Sequence, residues 1–122
     1  MTIRAIKGAT TVPIDSAPDV CAATSELLRA MLEQNGLVAG QVISLLLTAT
    51  PDLRSEFPAR GARDVGMGEV PMLCAQEIDV PGALPRCIRV LAHVDVADGR
   101  AVRHVYLREA RALRPDLARP ST

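Results

Sequence analysis

Residues 86–96 read Arg86-Cys87-Ile88-Arg89-Val90-Leu91-Ala92-His93-Val94-Asp95-Val96. Ile88, Val90, Ala92 and Val94 fall on one side of an extended chain, and Cys87, Arg89, Leu91 and His93 on the other. The alternation predicts a strand with one apolar face against a core. Its other face carries a guanidinium that needs a partner or water.

Working outward toward the N-terminus, Val80-Pro81-Gly82-Ala83-Leu84-Pro85 is a Pro/Gly loop. Val70 to Cys74 reads as a short strand. Phe57-Pro58 opens a short helix running to Val65 and closed by Gly66. Gln41 to Ala49 is apolar on both faces and reads as a buried central strand, broken by Thr50-Pro51-Asp52. Ser16-Ala17-Pro18-Asp19 has the form of a helix start, with a capping hydroxyl, a proline in the first turn and an acidic group at the positive end of the helix dipole. Val20, Thr24, Leu27, Leu28 and Met31 recur at helical spacing to Gln34, and Asn35-Gly36 stops the helix. Thr2 to Thr11 is the opening strand. Toward the C-terminus, Asp98-Gly99 marks a turn and Arg103 to Leu107 a last strand. Leu113-Arg114-Pro115-Asp116-Leu117 is a turn or single helical turn, and 118–122 a loose tail.

The expectation is an α+β fold: a mixed sheet with one long helix and one short helix, in a single domain over 1–117. One long helix shields one face of a sheet. The cheapest cover for the other face is another copy of the chain.

The 122 residues contain 14 basic and 14 acidic side chains, so the net charge is zero, which argues against nucleic acid or an anionic membrane as partner. Acidic groups prevail before position 86 and basic ones after it. Lys7 is the only lysine; every other basic residue is arginine, whose planar fork suits carboxylates. No apolar run is long enough to span a membrane and no signal-peptide core is evident, so a cytoplasmic location is expected. Cys21, Cys74 and Cys87 suggest neither a disulfide framework nor a zinc site, and no metal is expected. Nucleophile elbows, P-loops, dinucleotide fingerprints and metalloprotease helices are all missing.

What remains is a set of polar residues in apolar surroundings: Lys7, Cys74, Glu77, Arg89 and Tyr106, with Arg60 and Arg63 on the short helix and Arg114 after the last strand. Each admits a plainer role. Arg89 can be a structural ion pair, Glu77 a solvated loop carboxylate, Cys74 a small buried residue, and Tyr106 half core and half hydrogen-bonded. His93 can be a satisfied core histidine, His104 can face solvent, and Cys21 reads as packing.

Several stretches carry a resemblance: Arg4-Ala5-Ile6-Lys7-Gly8-Ala9-Thr10-Thr11, Thr48-Ala49-Thr50-Pro51-Asp52-Leu53, Phe57-Pro58-Ala59, Cys74-Ala75-Gln76-Glu77, Cys87-Ile88-Arg89-Val90, Arg103-His104-Val105-Tyr106-Leu107 and Leu113-Arg114-Pro115-Asp116-Leu117. In order and spacing they resemble the monofunctional, trimeric chorismate mutases of the Bacillus type. That resemblance implies a pseudo-α/β-barrel homotrimer with active sites in clefts between subunits. The implied reaction is the cofactor-free Claisen rearrangement of chorismate to prephenate, which supplies aromatic amino acid biosynthesis.

By position, Arg89 would bond the ether oxygen and a substrate carboxylate. Glu77 and the Cys74 thiol would bind the ring hydroxyl, and Tyr106 and Lys7 would hold a carboxylate. Phe57, Ala59 and Leu73 would line the pocket, and Arg60, Arg63 and Arg114 would gate the entrance or attract the dianion. The family pattern has arginine where this chain has Lys7, which keeps the charge and loses the fork. The swap fits either a tolerated variant with weaker substrate binding or a relative whose activity has drifted. Two rivals follow: a non-catalytic trimer that binds a chorismate-like dianion, and a trimeric imine deaminase.

Overall fold

Ser16 starts the long helix as its side chain allows. In the computed structural model, which describes residues 2–114, the Ser16 hydroxyl accepts from the Asp19 N–H at 3.2 Å and α1 runs Ala17–Gln34. At the far end Gly36 takes φ +60°, and the Leu37 N–H reaches back to the Leu32 carbonyl at 2.9 Å. This satisfies carbonyls that the helix leaves open. Asn35, 4% exposed, is stitched to the chain leading into the last strand. Its Oδ1 accepts from the Arg103 N–H at 2.7 Å and its Nδ2 donates to the Arg103 carbonyl at 3.0 Å.

Five strands form one mixed sheet: β1 Thr2–Thr11, β2 Val42–Ala49, β3 Met72–Gln76, β4 Cys87–Val96 and β5 Val105–Tyr106. Their order is β3-β2-β4-β1-β5. β4 is antiparallel to both β1 and β2, while the outer pairs β2/β3 and β1/β5 are parallel. The stretch that predicted β4 does what its alternation required. Ile88, Val90, Ala92 and Val94 are all buried, and the first two pack in clusters with α1 residues Val20, Leu27, Leu28 and Met31.

Two glycines let helices come close. A Cβ on Gly8 would sit 2.5 Å from the Met31 sulfur, so β1 meets α1 there without a side chain between them. A Cβ on Gly61 would lie 2.7 Å from the Cys21 carbonyl oxygen and 2.7 Å from the Thr24 Cβ. Gly61 belongs to α2, Ala59–Arg63, and its own carbonyl accepts from the Ser25 hydroxyl at 2.9 Å. Backbone and a β-branched side chain cannot give way cheaply, so Gly61→Ala should destabilise by about 1–3 kcal/mol. Thermal unfolding would show this as a midpoint several degrees lower; an unchanged midpoint would mean that α2 shifts freely on α1.

Several boundaries differ from the sequence reading. The short helix ends at Arg63 instead of Val65, because a turn closed by Gly66 at φ +80° takes over. The third strand is Met72–Gln76, displaced from 70–74, since the β2 register fixes it: Leu45 pairs Met72 and Ala49 pairs Gln76. The last strand shrinks to Val105–Tyr106, and Ala39–Gln41 forms a 3₁₀ turn ahead of β2. A second 3₁₀ segment, Arg108–Leu113, precedes the place expected for a helical turn. Of the expected turn at 113–117 only its first two residues are described, and the tail 118–122 lies outside the described residues.

β2 was expected to be buried on both faces. Here Leu46 is 44% and Ile43 41% exposed. Helix α1 covers one side only. On the other, Ile3, Leu46 and Leu73 stand open, and only the end near Ala9 is roofed, by the 3₁₀ segment through Ala110 and Leu113.

Candidate active site

Strand alternation sends Arg89 to the face away from α1. Ala9 on β1 and Thr48 on β2 are its cross-strand partners, and Tyr106 on β5 pairs Ala9 in turn. Tyr106, Ala9, Arg89 and Thr48 thus form one row across four strands. Arg89 and Tyr106 flank the small Ala9, roughly 10 Å apart at ordinary strand spacing. Lys7 is two residues along β1 from Ala9, on the same face and exposed. Its N–H donates to His104 Nδ1 at 3.0 Å, so His104 is half-buried and engaged instead of facing solvent.

Glu77 follows directly after β3, and its N–H donates to the Ala49 carbonyl at 2.9 Å. Its carboxylate is split between two partners: Arg89 Nη1 meets Oε1, and the Thr48 hydroxyl donates to Oε2 at 2.6 Å. The side chains are 34% exposed for Arg89 and 14% for Glu77, so the pair is neither free in water nor sealed off. The ion-pair reading of Arg89 therefore holds. A half-open guanidinium with donors to spare is also what a ligand needs. Tyr106 is 5% exposed, packed with Ala9 and Ala110, and its hydroxyl has no hydrogen-bond partner among the described residues. It was expected to be half hydrogen-bonded; its ring is core and its oxygen is unpaired.

A neighbouring network steadies this corner. Asp52 accepts from the Thr50 hydroxyl at 2.5 Å and from the Arg86 N–H at 2.9 Å, and Thr50 also accepts from the Cys87 N–H at 2.9 Å. Burial pushes the Asp52 carboxyl up, but these hydrogen bonds and the Arg86 charge hold it below its usual value. Burial pushes the Cys87 thiol up to about 11, which keeps it protonated beside Arg89.

The remaining predicted residues are spread over β3, α2 and the segments beside them. Cys74 and Leu73 on β3 are both exposed, the latter at 70%. Phe57 is likewise 70% exposed. A cleft of about 300 Å³ is lined by Ala49, Thr50, Leu53, Phe57, Pro58, Cys74 and Gln76 among others. Neither Arg89 nor Glu77 lines it. Arg60 and the exposed Arg63 lie on α2, where Arg60 makes only a loose 3.7 Å pair with Glu56. Ala59 begins that helix, and exposed Arg114 follows the second 3₁₀ segment. Within one chain, then, Arg89, Glu77, Tyr106 and Lys7 share a face, which Leu73 joins further along β3 through its pairing with Leu46, while Phe57 and Cys74 line the separate cleft.

Sequence reasoning missed Thr48 and the Thr50–Asp52–Arg86 network. The segment holding Thr48 carried family resemblance, but only the β2/β4 register shows that it stands opposite Arg89.

Comparison with known proteins decides the family, because a family model for chorismate mutase type I matches residues 3–117. This chain belongs to that family. It is 52% identical over 118 residues to the chorismate mutase AroH of Thermus thermophilus, covering 94% of this chain and 96% of that one. Identity to the chorismate mutase AroH of Bacillus subtilis is 45% over 121 residues, covering 97% and 94%. A solved chorismate mutase from Clostridium thermocellum superposes with a TM-score of 0.85 at 44% identity, over 89% of this chain and 98% of the other. The activity of this chain is that of a chorismate mutase, an isomerase, and the non-catalytic reading is not favoured. No helix among the described residues is long and apolar enough to cross a membrane.

Proposed function

We propose that the chain rearranges chorismate to prephenate with Arg89 as the principal catalytic group. One C–O bond breaks and one C–C bond forms within a single molecule, so no proton is transferred and no covalent intermediate arises. The protein has to hold the reactive chair conformer and support negative charge that grows on the ether oxygen. The half-open Arg89 guanidinium, single-point paired with Glu77, is the observation that carries this reading.

Glu77 accepts from the ring hydroxyl. The orphaned Tyr106 hydroxyl and Lys7, on the same face, hold a carboxylate. Phe57, Ala59, Leu73 and Cys74, with the entrance arginines Arg60, Arg63 and Arg114, complete the site. These groups come together when copies pack as a homotrimer, each cleft taking one group from each neighbour. The bare apolar surface of Ile3, Leu46 and Leu73 on the helix-free face supports that assembly, since patches of this kind mark contacts. The working place is the cytoplasm, and no cofactor takes part.

Loss of chorismate's diene absorbance on adding purified protein tests the reaction. Tight binding without turnover would restore the non-catalytic dianion-binding trimer, and imine hydrolysis without chorismate turnover the deaminase. Light scattering tests the assembly; a monomer at micromolar concentration contradicts the shared cleft.

Lys7 offers a point charge where a planar fork could grip a carboxylate twice. Lys7→Arg should lower the Michaelis constant, by up to about tenfold if one charged hydrogen bond is gained. A rise or no change would mean that Lys7 is adapted to something else.

A further inference from the structure

Left to themselves, a guanidinium and a carboxylate close into a two-point pair. Arg89 and Glu77 do not. Oε1 meets Nη1 alone, while Oε2 is engaged by the Thr48 hydroxyl at 2.6 Å. A hydroxyl facing a carboxylate must donate, so the direction of this bond is fixed.

We propose that Thr48 is a positioning residue for the rearrangement: its hydroxyl holds the Glu77 carboxylate turned, so that Glu77 takes one corner of the Arg89 fork and leaves the rest for substrate. The inference rests on the roles of Arg89 and Glu77 given above. Register makes the restraint stiff. Thr48 pairs Arg89 directly across β2 and β4, and Glu77 is tied to the next residue of β2 through the Ala49 carbonyl. Both ends of the carboxylate's reach are therefore set by one strand. Threonine also suits the position because a β-branched side chain on a strand has few rotamers to lose. Without the hydroxyl, Glu77 can swing fully onto Arg89, and the donors meant for the ether oxygen and the carboxylate are consumed inside the protein.

The test uses the full chain with Thr48→Val, Thr48→Ser, Glu77→Ala and the double variant Thr48→Val/Glu77→Ala. Steady-state kinetics on chorismate and thermal unfolding are both read. Thr48→Val should lower kcat about tenfold or more, as expected for a hydrogen bond to a charged group, with KM within about threefold. Thr48→Ser should stay within about threefold of the parent. In the Glu77→Ala background, Thr48→Val should cost nothing further in kcat, because there is no carboxylate left to turn. An unchanged kcat in Thr48→Val, or the same fractional loss with and without Glu77, overturns the proposal, as does failure of serine to rescue. Should the parent not turn over chorismate, the reaction assigned above fails by itself. Unfolding then decides the Thr48 claim: additive midpoint shifts of the two single variants refute a Thr48–Glu77 link, and non-additive ones support it.

Discussion

Arg89→Ala should lower kcat/KM for chorismate by about 1000-fold or more while leaving the fold intact. The residue lies mid-strand, with a stem that packs and a head half in water, so its removal opens no core cavity. On the proposed mechanism, what is lost is the donor to the ether oxygen. What remains is Glu77, 14% exposed and stripped of its counter-ion. An uncompensated carboxylate then faces an incoming dianion, so both the transition state and the encounter suffer. Arg89→Lys separates the two contributions: it keeps the charge and loses the fork, and should fall between parent and alanine variant. Turnover close to the parent's in Arg89→Ala, with unfolding unchanged, would falsify the assignment of this side chain to the reacting oxygen.

Glu77 carries the second large effect, and the sign of its influence on affinity is informative. If it only neutralised Arg89, Glu77→Ala would free the guanidinium, tighten dianion binding and leave kcat near the parent's. If it also accepts from the ring hydroxyl, the substrate loses an anchor at the far end of the bond that breaks. A charge-assisted hydrogen bond is worth about 1.5–3 kcal/mol, so kcat/KM should fall by about 10- to 100-fold. Glu77→Gln keeps the shape and an acceptor oxygen, and should lose less than alanine. Steady-state kinetics on the two variants distinguish these outcomes. Tighter binding with undiminished kcat in Glu77→Ala removes the residue from the substrate's hydroxyl.

How much of this could be read from the chain depends on the distance over which each feature is decided. α1 was legible from cap to cap because Ser16, Pro18, Asn35 and Gly36 act on their own neighbours. β4 was legible because its core face repeats every second residue. Ends set by distant partners were not. β5 shrank to Val105–Tyr106 because, among the described residues, its only strand partner is β1, at Gly8 and Ala9. β3 slid because β2 fixes its register. The site divides the same way. Arg89, Glu77 and Tyr106 stood out as polar groups among apolar ones, and the structure sets Arg89 and Tyr106 on either side of Ala9 with Glu77 on the far side of Arg89. Thr48 gave no local sign, since a threonine on a strand is ordinary until its cross-strand neighbour is known. In the proposed homotrimer, which group of residues serves which cleft is decided between chains, and no spacing within one chain encodes it.

Gly8 has the last consequence. The strand that presents Lys7 and Ala9 outward rests on Met31 through a residue with no side chain, so the same few ångströms of backbone are both the wall of the interior and the base of the proposed site. A methyl group added at position 8 would press on that sulfur, so either the Met31 side chain turns aside or the strand shifts. Where the strand shifts, the face that carries Lys7 and Ala9 shifts with it.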